Sequence, residues 1–325
     1  MTPDRERIDR SGIDVEISEV GPRDGLQMIE AFMPTEAKQA WNAAEAAAGV
    51  AEIEVCSYVP AKVVAQFTDA DEVVAHARTL PGLTVAVLVP NLRGAERAIA
   101  AGAHKLSFPL SVSRGHSLSN VRKTPDEQVA ELGRIVAAVR ALPVDRRPQV
   151  SAGLSTAFGC SIDGTVPEAE VLRLAEAALA AGADDLGLAD TVGCADPAQV
   201  RRLFQATRRA IGETVPLGAH LHNTMGLGLA NAMAALEAGV RSFDSSLAGL
   251  GGCPFAPGAT GNIVTEDLVF MLHALGLRTG IDLDRLAAVR DVIKAAMPGI
   301  ELYGHFAAAG WPKRLRPSAP AIAAE

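Results

Sequence analysis

Residues 184–222, DDLGLADTVGCADPAQVRRLFQATRRAIGETVPLGAHLH, read as one strand–helix–strand unit. DDLGLAD (184–190) is a short β-like run ending on a carboxylate, and PLGAHLH (216–222) is a second ending on two histidines. Between them, DPAQVRRLFQATRRAIG (196–212) opens with Pro197 and closes on Gly212, the order in which helices start and stop. Strands joined through a helix lie parallel, with a right-handed crossover.

The same alternation extends in both directions. VEISEV (15–20), AEIEVCS (51–57), LTVAVLV (83–89), HKLSFPL (104–110) and QVSAGLS (149–155) precede this unit, and SFDSSLAG (242–249) follows it. Further helix candidates are 34–49 and 166–183, both Pro-first and Gly-bearing at the end, and 124–142, with Thr124 as N-cap. Eight strands alternating with helices predict an α/β fold of the (β/α)8 TIM-barrel kind. The rival is an open doubly wound sheet, but no G-x-G-x-x-G follows the first strand. After residue 280 the alternation stops. Residues 282–296 read as one more helix, and the rest mixes aromatic, basic and Pro-rich pieces. The expected organisation is a flexible N-terminus (1–12), a catalytic barrel (13–280) and a short C-terminal helical extension with a tail (281–325).

The 325 residues are 49% hydrophobic and 21% charged, enough apolar content for a large core. A net charge of −8 argues against nucleic acid as the main partner, although a local basic patch could still take an anionic ligand. The four cysteines form no C-x-x-C pair, which disfavours structural zinc and suits a reducing, cytoplasmic compartment. The charged start MTPDRERIDRSGIDVE does not read as a signal peptide, and no long uncharged apolar run predicts a membrane span.

In a parallel barrel the working face lies at the C-terminal strand ends. Strand 1 leads there into Arg23, Asp24 and Gln27, strand 2 carries Glu54 and Ser57, and strand 6 ends in Asp190-Thr191. Strand 7 ends in His220-Leu221-His222, and strand 8 leads into GLGGCPFAPGATGN (249–262), with Cys253 and Asn262. His220 and His222, two apart on a strand, leave it by the same face and can grip one cation. Asp24 adds a hard oxygen from a neighbouring strand end, and two histidines plus a carboxylate form a known divalent-metal pattern. Such ligation predicts Mg2+ or Mn2+ with positions open to substrate oxygens. Arg23 is placed to stabilise a developing enolate, or alternatively to brace its turn. Glu54 and Asp190 are candidates for acid–base work or for orienting the ligands. The Gly/Pro-rich loop is long enough to act as a lid, and Cys253 in it is either a proton-transferring thiol or an inert one.

Taken in order, VGPRDGLQ, EVCSYV, ADTVG, HLHNTMG and AGLGGCPFAPGATGNIVTEDLVFML resemble the 3-hydroxy-3-methylglutaryl-CoA lyase family. These metal-dependent barrel enzymes are related to isopropylmalate and homocitrate synthases. The resemblance runs from about Val15 to Leu286. RDGLQ and H-x-H mark the whole superfamily, whereas the GGCPFAPGATGN loop is specific to the lyase branch, and the G-E-R-x-G-N loop of the synthases is absent. The resemblance implies that Asp24, His220, His222 and Asn262 ligate the cation. Arg23 would stabilise the enolate, Cys253 would transfer a proton at the acetyl-CoA carbon, and Glu54 and Asp190 would be active-site acids. It implies retro-Claisen cleavage of an acyl-CoA to acetyl-CoA and a keto acid such as acetoacetate. Gln27, Ser57, Thr191 and Asn120 would then contact substrate. Asn120, Arg122 and Lys123, or Lys313, Arg314 and Arg316, are candidates for the CoA phosphates, and a homodimer is the expected assembly.

Three positions depart from the lyase pattern, and so does the stretch SVSRGHSLSNVRKT (111–124), which reads as a loop after strand 4. Asn223 stands where the lyases carry Asp. Gly187-Leu188-Ala189-Asp190 stands where Ser-Leu-Gly-Asp is common. These leave open a related acyl group, such as citramalyl-CoA or a longer-branched glutaryl-CoA. A Claisen-condensing acyltransferase is the alternative reaction.

Overall fold

The computed structural model describes residues 11–251 and 261–316. Eight parallel strands close on themselves in chain order. They are β1 (Glu16–Glu19), β2 (Glu52–Ser57), β3 (Thr84–Leu88), β4 (Lys105–Ser111), β5 (Gln149–Ser155), β6 (Asp185–Asp190), β7 (Leu217–Leu221) and β8 (Ser242–Ser245). Pairing of β8 with β1, from Glu16 opposite Ser242 to Glu19 opposite Ser245, closes the barrel. The helices around it are α1 (Thr35–Ala47), α2 (Ala70–Ala77), α3 (Leu92–Ala101), α4 (Arg114–Val121), α5 (Pro125–Arg140), α6 (Glu168–Ala180), α7 (Pro197–Ile211), α8 (Gly228–Glu237) and α9 (Thr265–Ala274). The expected TIM barrel is the observed fold.

Local sequence explains these boundaries. Thr124 and Glu127 form a reciprocal capping box at the start of α5, and Asp196 accepts from two backbone amides at the start of α7. The segment after β4, read from sequence as a loop, contains α4. Ser113 caps it by accepting from the His116 amide, a local signal hidden by a sequence poor in strong helix formers.

Strand alternation sorts residues between two environments. On β4, Leu106, Phe108 and Leu110 are buried under the helices, whereas Lys105, Ser107 and Pro109 line the lumen. On β5, Val150, Ala152 and Leu154 face out, with Ser151, Gly153 and Ser155 facing in. The apolar core is therefore a shell between sheet and helices. Barrel interiors are commonly filled by branched apolar side chains, but this lumen is lined by small and polar ones. Near its N-terminal end Lys105 Nζ lies 3.0 Å from Glu52 and 3.7 Å from Asp185, and Asp185 accepts from Gln149 and Ser151.

Beyond the barrel, α10 (Leu283–Ala296) starts where the Asp282 amide donates to Ala48 O at the end of α1, and then runs along α1. The chain returns past Ala248, forms α11 (Phe306–Ala309), and places Trp311 flat against His273, its indole N–H on Asp284. Among the described residues no helix is long and apolar enough to cross a membrane.

Candidate metal and active site

After β1 the backbone tightens into one π-helical turn, Gly21–Gly25, in which the Val20 carbonyl accepts from the amides of Arg23, Asp24 and Gly25. Only glycine fits two of its positions. A Cβ on Gly21 would lie 2.7 Å from Glu19 Oε1, and one on Gly25 would lie 2.8 Å from Leu250 Cβ. The turn delivers Arg23, Asp24 and Gln27 to the mouth of the lumen.

His220 and His222 arrive from the end of β7. Their Nε2 atoms are 3.1 Å apart, and Asp24 Oδ2 lies 3.9 Å from the first and 3.8 Å from the second. One ligand atom from each residue fits within a 4.8 Å group. Two imidazole nitrogens this close share at most one proton between them when neutral, so at least one lone pair faces the same small space as the carboxylate. The other nitrogen of His220 lies 3.1 Å from Asp244 Oδ2, which favours a proton on Nδ1 and a bare Nε2.

Asn262 reaches the same space from the far end of the loop that follows β8. Residues 261–263 run antiparallel to the end of β7: Asn223 donates to Gly261 O, Ile263 donates to Leu221 O, and His222 lies opposite Asn262. Asn262 Nδ2 donates to Asp24 Oδ2 at 2.6 Å, while its Oδ1 is buried without a hydrogen-bond partner. A buried acceptor left unpaired costs about 1–3 kcal/mol. That oxygen, the carboxylate and the two imidazole nitrogens are a hard, mixed N/O donor set that fits a divalent cation.

The charges around the group are arranged unequally. Burial works against an ionised Asp24, but Arg23, the two histidines and Asn262 outweigh it and hold the carboxyl at about 2. Burial, and then the neighbouring His220, push His222 down to about 4, so it stays neutral. Burial opposes a charge on His220 as well, but Asp244 and Asp24 raise it above its ordinary value. Arg23 lies between two carboxylates, its Nη1 on Asp24 and its Nε on Glu54. Gln27 donates to Asp24 Oδ1 at 2.5 Å.

Not every expected residue joins this group. Thr191 and Asn120 line the same cavity, and Thr191 Oγ1 also accepts from the Thr156 amide. Asp190 does not line it. Alternation on β6 turns Gly187 and Ala189 inward, and Asp190 instead accepts from the amides of Cys194 and Ala195, bracing the loop above. Ser57 is also turned away, its hydroxyl held between Leu88 O and the Val59 amide. Neither residue is brought to the cavity wall beside Arg23 and Asp24. Lys123 lines the cavity while ion-paired to Glu131, but Arg122 does not line it. Lys313, Arg314 and Arg316 follow Trp311, which is anchored at the far end of α9 and the start of α10, away from the strand ends. Cys253 lies outside the described residues. Asp244 is the residue that sequence reading missed. It stands directly across from His220 in the β7–β8 register, a placement that the period-two pattern of SFDS could have revealed.

With this geometry in place, comparisons with known proteins are informative. The HMGL-like family model matches residues 14–293. The mitochondrial hydroxymethylglutaryl-CoA lyase of Mus musculus is 38% identical over 87% of this chain and 86% of its own length. The hydroxymethylglutaryl-CoA lyase of Bacillus subtilis is 37% identical over 87% of this chain and 93% of its own. Among solved structures, an HMG-CoA lyase from Acinetobacter baumannii in complex with coenzyme A and 3-methylmalate superposes with a TM-score of 0.86 at 39% identity. That match covers 94% of this chain and 98% of the other. From the matched span and the identity across it, the chain belongs to the HMGL-like family.

Proposed function

We propose that the chain is a divalent-metal-dependent carbon–carbon lyase that cleaves a 3-hydroxy-3-methylglutaryl-CoA-like thioester to acetyl-CoA and a keto acid such as acetoacetate. The observation that carries this reading is the convergence of Asp24, His220, His222 and the unpartnered Asn262 Oδ1 beside Arg23 at the barrel mouth. The lyase names of the relatives support it, as does the coenzyme A held by the Acinetobacter baumannii structure.

Asp24, His220, His222 and Asn262 are the proposed ligands of Mg2+ or Mn2+. When bound, the cation supplies Lewis acidity to the substrate's hydroxyl and carboxylate oxygens and lowers the hydroxyl pKa. Arg23 offers its guanidinium to the thioester oxygen, where negative charge develops as the C2–C3 bond breaks. Glu54 grips Arg23 Nε and fixes the direction of that guanidinium. Gln27 and Arg23 hold Asp24 Oδ1, leaving Oδ2 on the side of the imidazoles. Asp244 keeps a proton on His220 Nδ1. Cys253 is the proposed proton donor to C2 of the enolate, and Thr191 and Asn120 are proposed substrate contacts from the cavity wall. The same reading carries a cytoplasmic homodimer as its expectation, the dimer being checked by light scattering on the purified chain.

The test is to incubate the protein with 3-hydroxyacyl-CoA thioesters and Mg2+ or Mn2+ and follow acetyl-CoA. Release of acetyl-CoA is expected. Consumption of acetyl-CoA with an added keto acid, and no release from any thioester, would instead assign a condensing enzyme.

A further inference from the structure

Three glycines stand in register on adjacent strands and face the lumen. Gly153 on β5 pairs with Gly187 on β6, which pairs with Gly218 on β7. Backbone conformation does not require glycine at any of them, because none has a positive φ. Packing does not require it either. A Cβ on Gly153 would meet nothing within 4 Å, on Gly187 nothing closer than 3.9 Å, and on Gly218 nothing closer than 3.6 Å. Glycine inside a strand packs no side chain and loses more chain entropy on folding than alanine. Gly21 and Gly25 are held to glycine by close neighbours. The three lumen glycines have no such neighbour, and what they provide is room.

That room lies beneath the candidate cation site. Gly218 precedes His220 by two positions on β7, so the row sits one lumen layer, roughly 7 Å, deeper. The walls beside it are also small, with Ser107, Ser151 and Ser155 lining the same cavity. Deeper still stands Lys105, ion-paired with Glu52 and Asp185.

In the lyase reading the thioester oxygen meets Arg23 beside the candidate ligands at the C-terminal mouth, so coenzyme A stays on that side of the lumen. The part of the acyl group remote from the thioester therefore points down the barrel. A 3-hydroxyglutaryl thioester has two remote arms, its carboxymethyl group and whatever branch carbon 3 carries. Glu52, Glu54, Asp185 and Asp244 all line this cavity. Lys105, the cation below the glycine row, is already taken up by Glu52 and Asp185, so it is not free to receive a descending carboxylate. The uncharged branch is the arm the lumen accepts.

We propose that the row Gly153–Gly187–Gly218 is an acyl-branch pocket, and that the substrates are 3-hydroxyglutaryl-CoA thioesters whose uncharged carbon-3 branch is longer than methyl. This rests on the lyase reading above and leaves its reaction unchanged. The carbon-3 hydroxyl gives up its proton and becomes the ketone of a longer 3-oxo acid, the C2–C3 bond breaks, and its electron pair goes to C2, which takes a proton to become acetyl-CoA.

The experiment compares kcat/KM for acetyl-CoA release, with Mn2+ present, from thioesters bearing methyl, n-propyl, n-pentyl or 2-carboxyethyl at carbon 3. In the unaltered protein, propyl or pentyl should exceed methyl by tenfold or more, and carboxyethyl should be the poorest. Gly153→Val and Gly187→Ala should each shift the propyl-to-methyl ratio toward methyl, Gly153→Val by at least tenfold. Because the readout is a ratio within one variant, misfolding alone does not move it. A tenfold preference for methyl, or a ratio that neither variant moves, overturns the pocket and leaves the lyase standing. Cleavage of none of the four overturns both.

Discussion

Two buried clusters of charge, one toward each end of the lumen, are built on opposite terms. At the N-terminal end Lys105 satisfies Glu52 and Asp185, and Asp185 is further held by Gln149 and Ser151. At the C-terminal end Asp24, His220, His222 and Asn262 turn ligand atoms toward one another, and Asn262 Oδ1 has no partner. Burial is comparable, since Asp24, His222, Asn262 and Asp185 are all buried. The difference lies in whether acceptors find donors inside the chain. Buried acceptors paired internally brace a fold, whereas several directed at one small space fit an ion or a substrate.

Substitutions at each end should therefore fail differently. Arg23→Met, at the C-terminal end, should lower kcat for acetyl-CoA release by about 10²–10³ with little loss of cation, the range seen when one donor to a developing oxyanion is removed. Equal loss of Mn2+ would make Arg23 a brace for Asp24. Asp244→Asn should weaken Mn2+ binding by about 10–100-fold, because His220 loses the partner that keeps its Nε2 bare. Lys105→Met, at the other end, should destabilise the fold by about 3 kcal/mol by leaving Glu52 and Asp185 unpaired. Denaturant titration checks this, and Mn2+ affinity should be unchanged.

The smallest effect concerns pH. Burial pushes the Glu19 carboxyl to about 8, against hydrogen bonds from Thr265, Leu247 and Gly21. Between its ordinary 4.5 and about 8 the folded chain keeps a proton that the unfolded chain has released, so stability falls as pH rises through that window. Glu19→Gln should flatten this dependence in denaturant titrations at pH 5, 6.5 and 8. An unchanged slope would show that Glu19 ionises normally.

Fold and site were legible in the sequence to different degrees. Eight alternating runs revealed the barrel because strand and helix periods are local. The meeting of Asp24 with His220 and His222 followed from closure, since β8 brings β1 and β7 to the same side. Asn262 could not be placed by periodicity, because it sits on a short antiparallel bridge outside the named strands. The direction of Asp190 was not legible from its place at a strand end. One step along β6 reverses the face, and Ala189 looks inward where Asp190 does not. The α4 helix was hidden because its start depends on one serine cap rather than on apolar periodicity.

The most direct test is a titration of Mn2+ into metal-free protein, reading free Mn2+ by its paramagnetic resonance signal. One tight site per chain is expected, lost in Asp24→Ala at unchanged melting temperature. Full occupancy in Asp24→Ala, or no tight site in the unaltered chain, would contradict a cation held between Asp24, His220 and His222.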